Sequence, residues 1–207
     1  MSAPPILTWN KLKTAYRIFP HKYPAEDFNP NTSVDPWDTS SGGRFHPFDD
    51  SAGNRIPTMY CADHNAGALA ETLLRDTLTT RIVAPKAIEE NSSCMIHFQR
   101  DLSLLNLSHS SVASDFSAIL TGSSDCYEDS RGVAADIHAN YSAVDGIIWT
   151  GKQIGQPSFK CFVLFGDRIF SRDITPIEKV RLSSPEGLEL LRDACQSRNF
   201  TLPTRYA

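Results

Sequence analysis

Between Ser41 and Glu71 the chain reads SGGRFHPFDDSAGNRIPTMYCADHNAGALAE, and this stretch constrains the fold more than any other. Gly42-Gly43-Arg44-Phe45 predicts a turn running into a short strand, because paired glycines reach backbone angles closed to other residues. Thr58-Met59-Tyr60-Cys61 is an apolar run of strand length. Ala66 to Leu74 is rich in alanine and leucine and predicts a helix, with Asp63 or Asn65 as candidate N-cap. Glu71 is the only acidic residue inside that helix. A cation, an aromatic ring and a carboxylate therefore stand on neighbouring elements. That set suits an anionic, aromatic, ribose-containing ligand.

On either side the pattern is mixed. Tyr16-Arg17-Ile18-Phe19 predicts a strand, and an arginine among apolar neighbours there needs a carboxylate or a ligand as partner. Pro20 to Gly43, rich in Pro, Asn, Asp and Ser, reads as a long irregular connection, of the kind that covers or builds a site. Cys94–Arg100 and Leu102–Leu107 read as strands, Ser108–Ser124 has no clear pattern, and Asp129–Ala139 reads as a helix. Val144–Thr150 and Lys160–Phe165 are continuous apolar runs, as in strands covered on both faces. Ser184-Pro185 opens a helix to about Ser197, with serine as N-cap and proline in the first turn. Interleaved strands and helices make the fold class α+β. We expect one domain over residues 1–207, with a core of about 16–170 and the helix 185–197 packed on it.

With 207 residues, 41% of them hydrophobic, the chain can bury one substantial core. A net charge of -4 gives no basic footprint for nucleic acid. No apolar run approaches the ~20 residues that span a bilayer, and MSAPPILTWNKLK lacks the apolar centre of a signal peptide, so a cytoplasmic protein is expected. Five scattered cysteines without a C-x-x-C pair predict reduced thiols, and the six histidines show no metal spacing. No metal site is expected.

The order of these segments resembles the RES-domain family. GGRF, MYCADHNAGALAE, the Asp101–Leu107 strand, DGIIWTGKQ at Asp145–Gln153 and Phe162–Arg168 follow one another as that family's segments do, over roughly Tyr16 to Phe170. The resemblance implies a fold similar to the ADP-ribosyltransferases, a split mixed β-sheet with flanking helices and the nucleotide in its cleft. It implies NAD as substrate, with no other cofactor, and cleavage of the nicotinamide–ribose bond by hydrolysis or by ADP-ribosyl transfer. It implies a growth-inhibiting toxin partnered by an antitoxin or immunity protein, with water or a protein as acceptor of ADP-ribose. By the same resemblance Glu71 and Tyr60 are catalytic, Arg44 and Arg17 clamp the diphosphate, and Tyr60 stacks on nicotinamide. Gly151 stands where the family has serine and Lys152 where it has arginine, so Thr150 or the Gly151 backbone is expected to supply the missing hydrogen bond. Two other readings stay open: a module that binds ADP-ribose or NAD without turnover, and a protein-interaction partner. A Glu71–Arg75 pair at i,i+4 spacing is the plain structural alternative for the glutamate.

Overall fold

Eight strands form a single mixed sheet in the order β1-β5-β6-β7-β3-β2-β4-β8. The computed structural model describes residues 5–32, 42–74, 81–121, 127–151, 159–196 and 199–206. The strands are β1 (Ile6–Trp9), β2 (Ala15–Pro20), β3 (Thr58–Ala62), β4 (Asn91–Phe98), β5 (Leu102–Asn106), β6 (Gly146–Thr150), β7 (Lys160–Phe165) and β8 (Ile174–Arg181). The described helices are α1 (Asn65–Thr72), α2 (Pro85–Glu90), α3 (Ala113–Thr121), α4 (Tyr127–Asn140) and α5 (Pro185–Gln196). The α+β class expected from the sequence is what the chain adopts, and neighbouring strands are antiparallel except β5 and β6.

Strand alternation divides the interior in two. Ile18, Ile147, Trp149 and Val163 face a core shared with residues of α1, α4 and α5. Phe19, Cys61, Cys94, Ile148 and Phe162 face the other way, into a second core built almost wholly from the sheet. β6 and β7 are covered on both faces, as their unbroken apolar runs predict.

Several elements differ from the sequence expectation. The sheet runs from Ile6 to Arg181, beyond the expected 16–170 core, because β1 pairs with β5 and β8 with β4. β8 is an edge strand with mostly exposed side chains, so it carries no apolar signal. The unpatterned stretch Ser108–Ser124 contains α3, whose described side chains are mostly exposed or half-buried. Neither Asp63 nor Asn65 caps α1: His64 occupies the N-cap position, without a side-chain cap, while Asp63 accepts the Lys160 backbone N–H at 2.9 Å. Ser184 does accept from Gly187 N–H at 3.2 Å, as expected of the α5 cap. Cys61, Cys94, Cys161 and Cys195 are free and buried. Arg75, Cys126, Lys152, Ser197 and residues 33–41 of the long connection lie outside the described residues.

The sheet is divided, as the resemblance implies. β2 and β3 pair at one position, Tyr16 with Ala62, whereas β2 pairs with β4 from Ala15 to Pro20 and β3 with β7 from Thr58 to Ala62. Below that contact the two strands part. The segment Ala25–Asn31 is wedged in the opening. Asn29 exchanges both backbone hydrogen bonds with Thr58 at 2.9 Å, and Asn31 Nδ2 donates to Thr58 Oγ1 at 3.1 Å. The backbone groups freed by the parting are thereby satisfied.

Glycines report where backbone packs on backbone. A Cβ on Gly146 would run into the Val163 carbonyl oxygen across the β6–β7 ladder, whereas nothing lies within 4 Å of one on Gly132 in α4. Gly146→Ala is therefore expected to destabilise the fold by ~1–3 kcal/mol. Gly132→Ala should stabilise it by up to ~1 kcal/mol, since alanine is the better helix former. Urea denaturation of the two variants checks both signs.

Candidate active site

Where β2 leaves β3 a cleft of about 250 Å³ opens, lined by Arg17, Tyr60 and Glu71, with Gly42, His46, Asn29 and Thr58 among its walls. Three of the residues singled out from the sequence therefore meet in one space. His46, two residues past Arg44, joins them.

Glu71 sits in the last turn of α1 and is only 7% exposed. Both facts are unfavourable for a carboxylate. The C-terminal end of a helix dipole repels negative charge, by ~0.3–1 kcal/mol at a surface, and burial adds to the cost. An ideal Cβ on Gly151 would lie 3.4 Å from Glu71 Oε1 and 3.1 Å from Cys161 Sγ, so the end of β6 abuts the carboxylate through bare backbone.

Arg17 projects from the opposite face of β2, toward the sheet-built core. It is 7% exposed, and its guanidinium donates to the carbonyls of Ala25 and, at 2.9 Å, Asp27. It forms no ion pair with a carboxylate among the described residues. Cys94 is its register partner on β4, and Cys61 also acts on it electrostatically. Burial pushes the Cys61 thiol up to about 12, and burial likewise raises Cys94, so both neighbours are neutral near pH 7. Burial in turn holds the guanidinium below its usual range. The site thus contains a buried cation with two carbonyl partners and no ion pair among the described residues; Asp27 and Glu26 act on it only at longer range, and its Nε has no hydrogen-bond partner. An anion reaching it would recover the electrostatic energy that burial costs.

Tyr60 has a structural part besides the one expected of it. Its hydroxyl accepts the Phe45 backbone N–H at 2.8 Å, and its ring meets His46 and Trp149 edge-on, with centroids 5.0 and 6.1 Å away. The phenol therefore anchors the GGRF turn to β3, and its ring helps line the cleft. That turn is no strand. Gly43 and His46 close it on each other, Ser130 Oγ donates to the Arg44 carbonyl, and Tyr60 takes the Phe45 N–H, so no ladder can form.

Three residues expected to bind ligand, Arg44, Thr150 and Gly151, do not line the cleft, although Gly151 abuts Glu71. The Arg44 guanidinium donates to the Ile119 carbonyl in the last turn of α3, where the helix dipole favours a cation, and lies 5.9 Å from the Tyr127 ring centroid. At the tip of a closed turn its side chain is carried toward α3 and α4. Thr150 is turned away by strand alternation, because Trp149 before it faces the Tyr60 side. Its hydroxyl accepts from Lys160 Nζ at 2.8 Å. Asn29 and Thr58 in the wall were not expected, and their pairing across the wedge leaves no pattern in the sequence. Among the described residues no group of three or more His, Cys, Asp or Glu gathers for a metal, and no helix is long and apolar enough to cross a membrane.

If Tyr60 anchors the turn, Tyr60→Phe strands the buried Phe45 N–H. The expected loss is ~1–3 kcal/mol in chemical denaturation. Unchanged stability would show that the turn stands without that bond.

Comparison with known proteins accords with this geometry. The RES domain matches residues 14–183. A chain of the M. tuberculosis MbcT–MbcA toxin–antitoxin complex superposes with a TM-score of 0.62 at 17% identity, covering 89% of this chain and 91% of that one. No curated protein matches. With the family's domain covering most of the chain, and its split sheet opening onto Arg17, Tyr60 and Glu71, this protein is a member of the RES-domain family.

Proposed function

We propose that this protein consumes NAD by cleaving the nicotinamide–ribose bond, and that it acts as the toxin of a toxin–antitoxin pair. One observation carries the chemistry: a buried guanidinium held by two carbonyls, with no ion pair among the described residues, and a buried carboxylate line the same cleft. A dinucleotide offers a diphosphate to the first and a ribose to the second. The likeness to a chain of a toxin–antitoxin complex supports the biological role and an antitoxin partner.

In the proposed reaction the C1′–N bond breaks and its electron pair leaves with nicotinamide, which departs neutral and needs no strong acid. Positive charge builds on the ribose as an oxocarbenium ion. The Glu71 carboxylate stabilises that cation and holds a ribose hydroxyl, which is worth most in a site that excludes water. An acceptor oxygen, from water or from a protein side chain, adds at C1′ and releases its proton. Arg17 holds the diphosphate in ground and transition states alike. Nicotinamide lies against the Tyr60 ring, which the Phe45 contact fixes in place.

Free nicotinamide released from NAD, measured with and without lysate as acceptor, tests the proposal. Binding without release would support a non-catalytic module instead, a reading for which Gly151 at the family's serine position is the specific motive. Glu71→Gln is expected to keep NAD affinity and lose ~10²–10³ in rate, the usual cost of one electrostatic stabiliser. Turnover near the wild-type rate would remove Glu71 from the chemistry. Arg17→Met should raise KM more than it lowers kcat, because uniform binding is lost. An unchanged KM would exclude it as the clamp. Gly151→Ser should retain turnover: its Cβ makes an ordinary contact with Glu71 and must displace only the Cys161 thiol by a few tenths of an ångström.

A further inference from the structure

Beside the cleft lies a larger hollow of about 860 Å³, bounded by the end of β2, the segment that follows it and the turn after β7. Arg17, Phe19, Pro20 and Asn29 line both spaces, so the two hollows adjoin at the buried guanidinium. Their sizes matter. Small-molecule sites usually measure ~300–1,000 Å³, and the cleft alone, at about 250 Å³, falls short of that range. A whole dinucleotide needs more room than the cleft gives.

The hollow has the walls that a purine would need. Tyr23 is 52% and Phe170 46% exposed, and they are the two large aromatic side chains left exposed among the described residues. Both line this one hollow. Each carries a cation over its ring, Lys22 at 5.0 Å from the Tyr23 centroid and Arg172 at 4.6 Å from that of Phe170. Exposed rings beside positive charge are a stacking surface for a flat base that carries phosphate. Arg17, whose guanidinium is buried and whose Nε has no hydrogen-bond partner, lines both this hollow and the cleft. It is the one cationic residue common to the two hollows among their described lining residues, where a diphosphate would cross.

We propose that this hollow is the purine-nucleoside subsite of the same pocket. The nicotinamide riboside half occupies the cleft, the diphosphate crosses Arg17, and the purine base stacks against Tyr23 and Phe170. The assignment rests on the dinucleotide reading of the cleft, and the experiment separates the two. AMP affinity is measured by calorimetry, and KM and kcat by nicotinamide release from NAD and from nicotinamide mononucleotide, for wild type, Tyr23→Ala, Phe170→Ala and Tyr23→Phe. Both side chains are largely exposed, so the variants should fold. Each alanine is expected to weaken AMP binding roughly 5- to 150-fold, the measured range for one base–aromatic stack. It should raise KM for NAD in step while leaving kcat, and KM for the mononucleotide, unchanged. Tyr23→Phe, which keeps the ring, should behave as wild type.

AMP binding indifferent to both alanines overturns the subsite, and with NAD still cleaved the reading of the cleft stands. Wild type that cleaves NAD but binds no AMP has the same meaning. AMP bound, and lost in the variants, without any cleavage of NAD leaves the subsite standing and removes the proposed reaction. Neither AMP binding nor NAD cleavage overturns both.

Discussion

One paired position, Tyr16 with Ala62, holds the two halves of the sheet together, and the geometry of the cleft follows from what happens below it. Parting strands expose backbone N–H and C=O groups that must be satisfied inside the protein. The chain does this with the segment Ala25–Asn31. Its Asn29 completes the free edge of β3, while its Ala25 and Asp27 carbonyls take the Arg17 guanidinium from β2. The wedge thus ties itself to both strands and prevents them from closing. A continuous ladder would be more regular, and it would leave no space between Arg17 and Tyr60.

A second set of contacts fixes the wall opposite the wedge. The GGRF turn has no ladder of its own and is held by side chains from two directions. Tyr60 binds the Phe45 N–H from β3, and Ser130 and Arg131 bind the Arg44 and Gly43 carbonyls from α4. Arg44 continues this attachment to α3. Gly42 has a φ of +81, and a Cβ there would also press on His46 and Pro47, so the sequence at the turn is set by backbone shape as much as by charge. His46 reaches the cleft because the turn closes Gly43 onto it.

These particulars explain what is legible in the sequence. Apolar runs reveal β2, β3, β6 and β7, because those strands are buried and burial writes itself in composition. β1, β8 and α3 are missed because edge strands and exposed helices have no such requirement. Glu71 is legible as the lone acid of an alanine-rich helix, and Arg17 as a charge among apolar residues. Arg44 misleads for an instructive reason. An arginine after two glycines has the same local pattern whether its side chain turns into the cleft or back onto a helix end, and only α3, which the sequence does not announce, decides between them. Thr150 misleads by one residue, which on a strand exchanges one face for the other. The wedge at Asn29 depends on pairing with a strand 29 residues away, and no local pattern could have shown it.

The two buried charges are kept apart, and this separation is the most informative feature of the cleft. Arg17 and Glu71 line the same space yet form no ion pair, since one projects from β2 toward the sheet-built core and the other from a helix packed on the opposite face. Had they met, each would have satisfied the other, and a buried pair of that kind contributes little beyond repaying its own desolvation. Held apart, the two charges do not neutralise each other, and a ligand in the cleft can meet both. Burial holds the Arg17 guanidinium below its usual range, the cation's side of the same desolvation. A substrate that carries negative charge at one point and develops positive charge at another would meet both fields at once. Under the proposed chemistry the diphosphate is negative from the start and the ribose becomes positive only as the bond to nicotinamide breaks. The attraction to Arg17 is then available on binding, and that to Glu71 grows along the reaction coordinate, so the first supports affinity and the second rate.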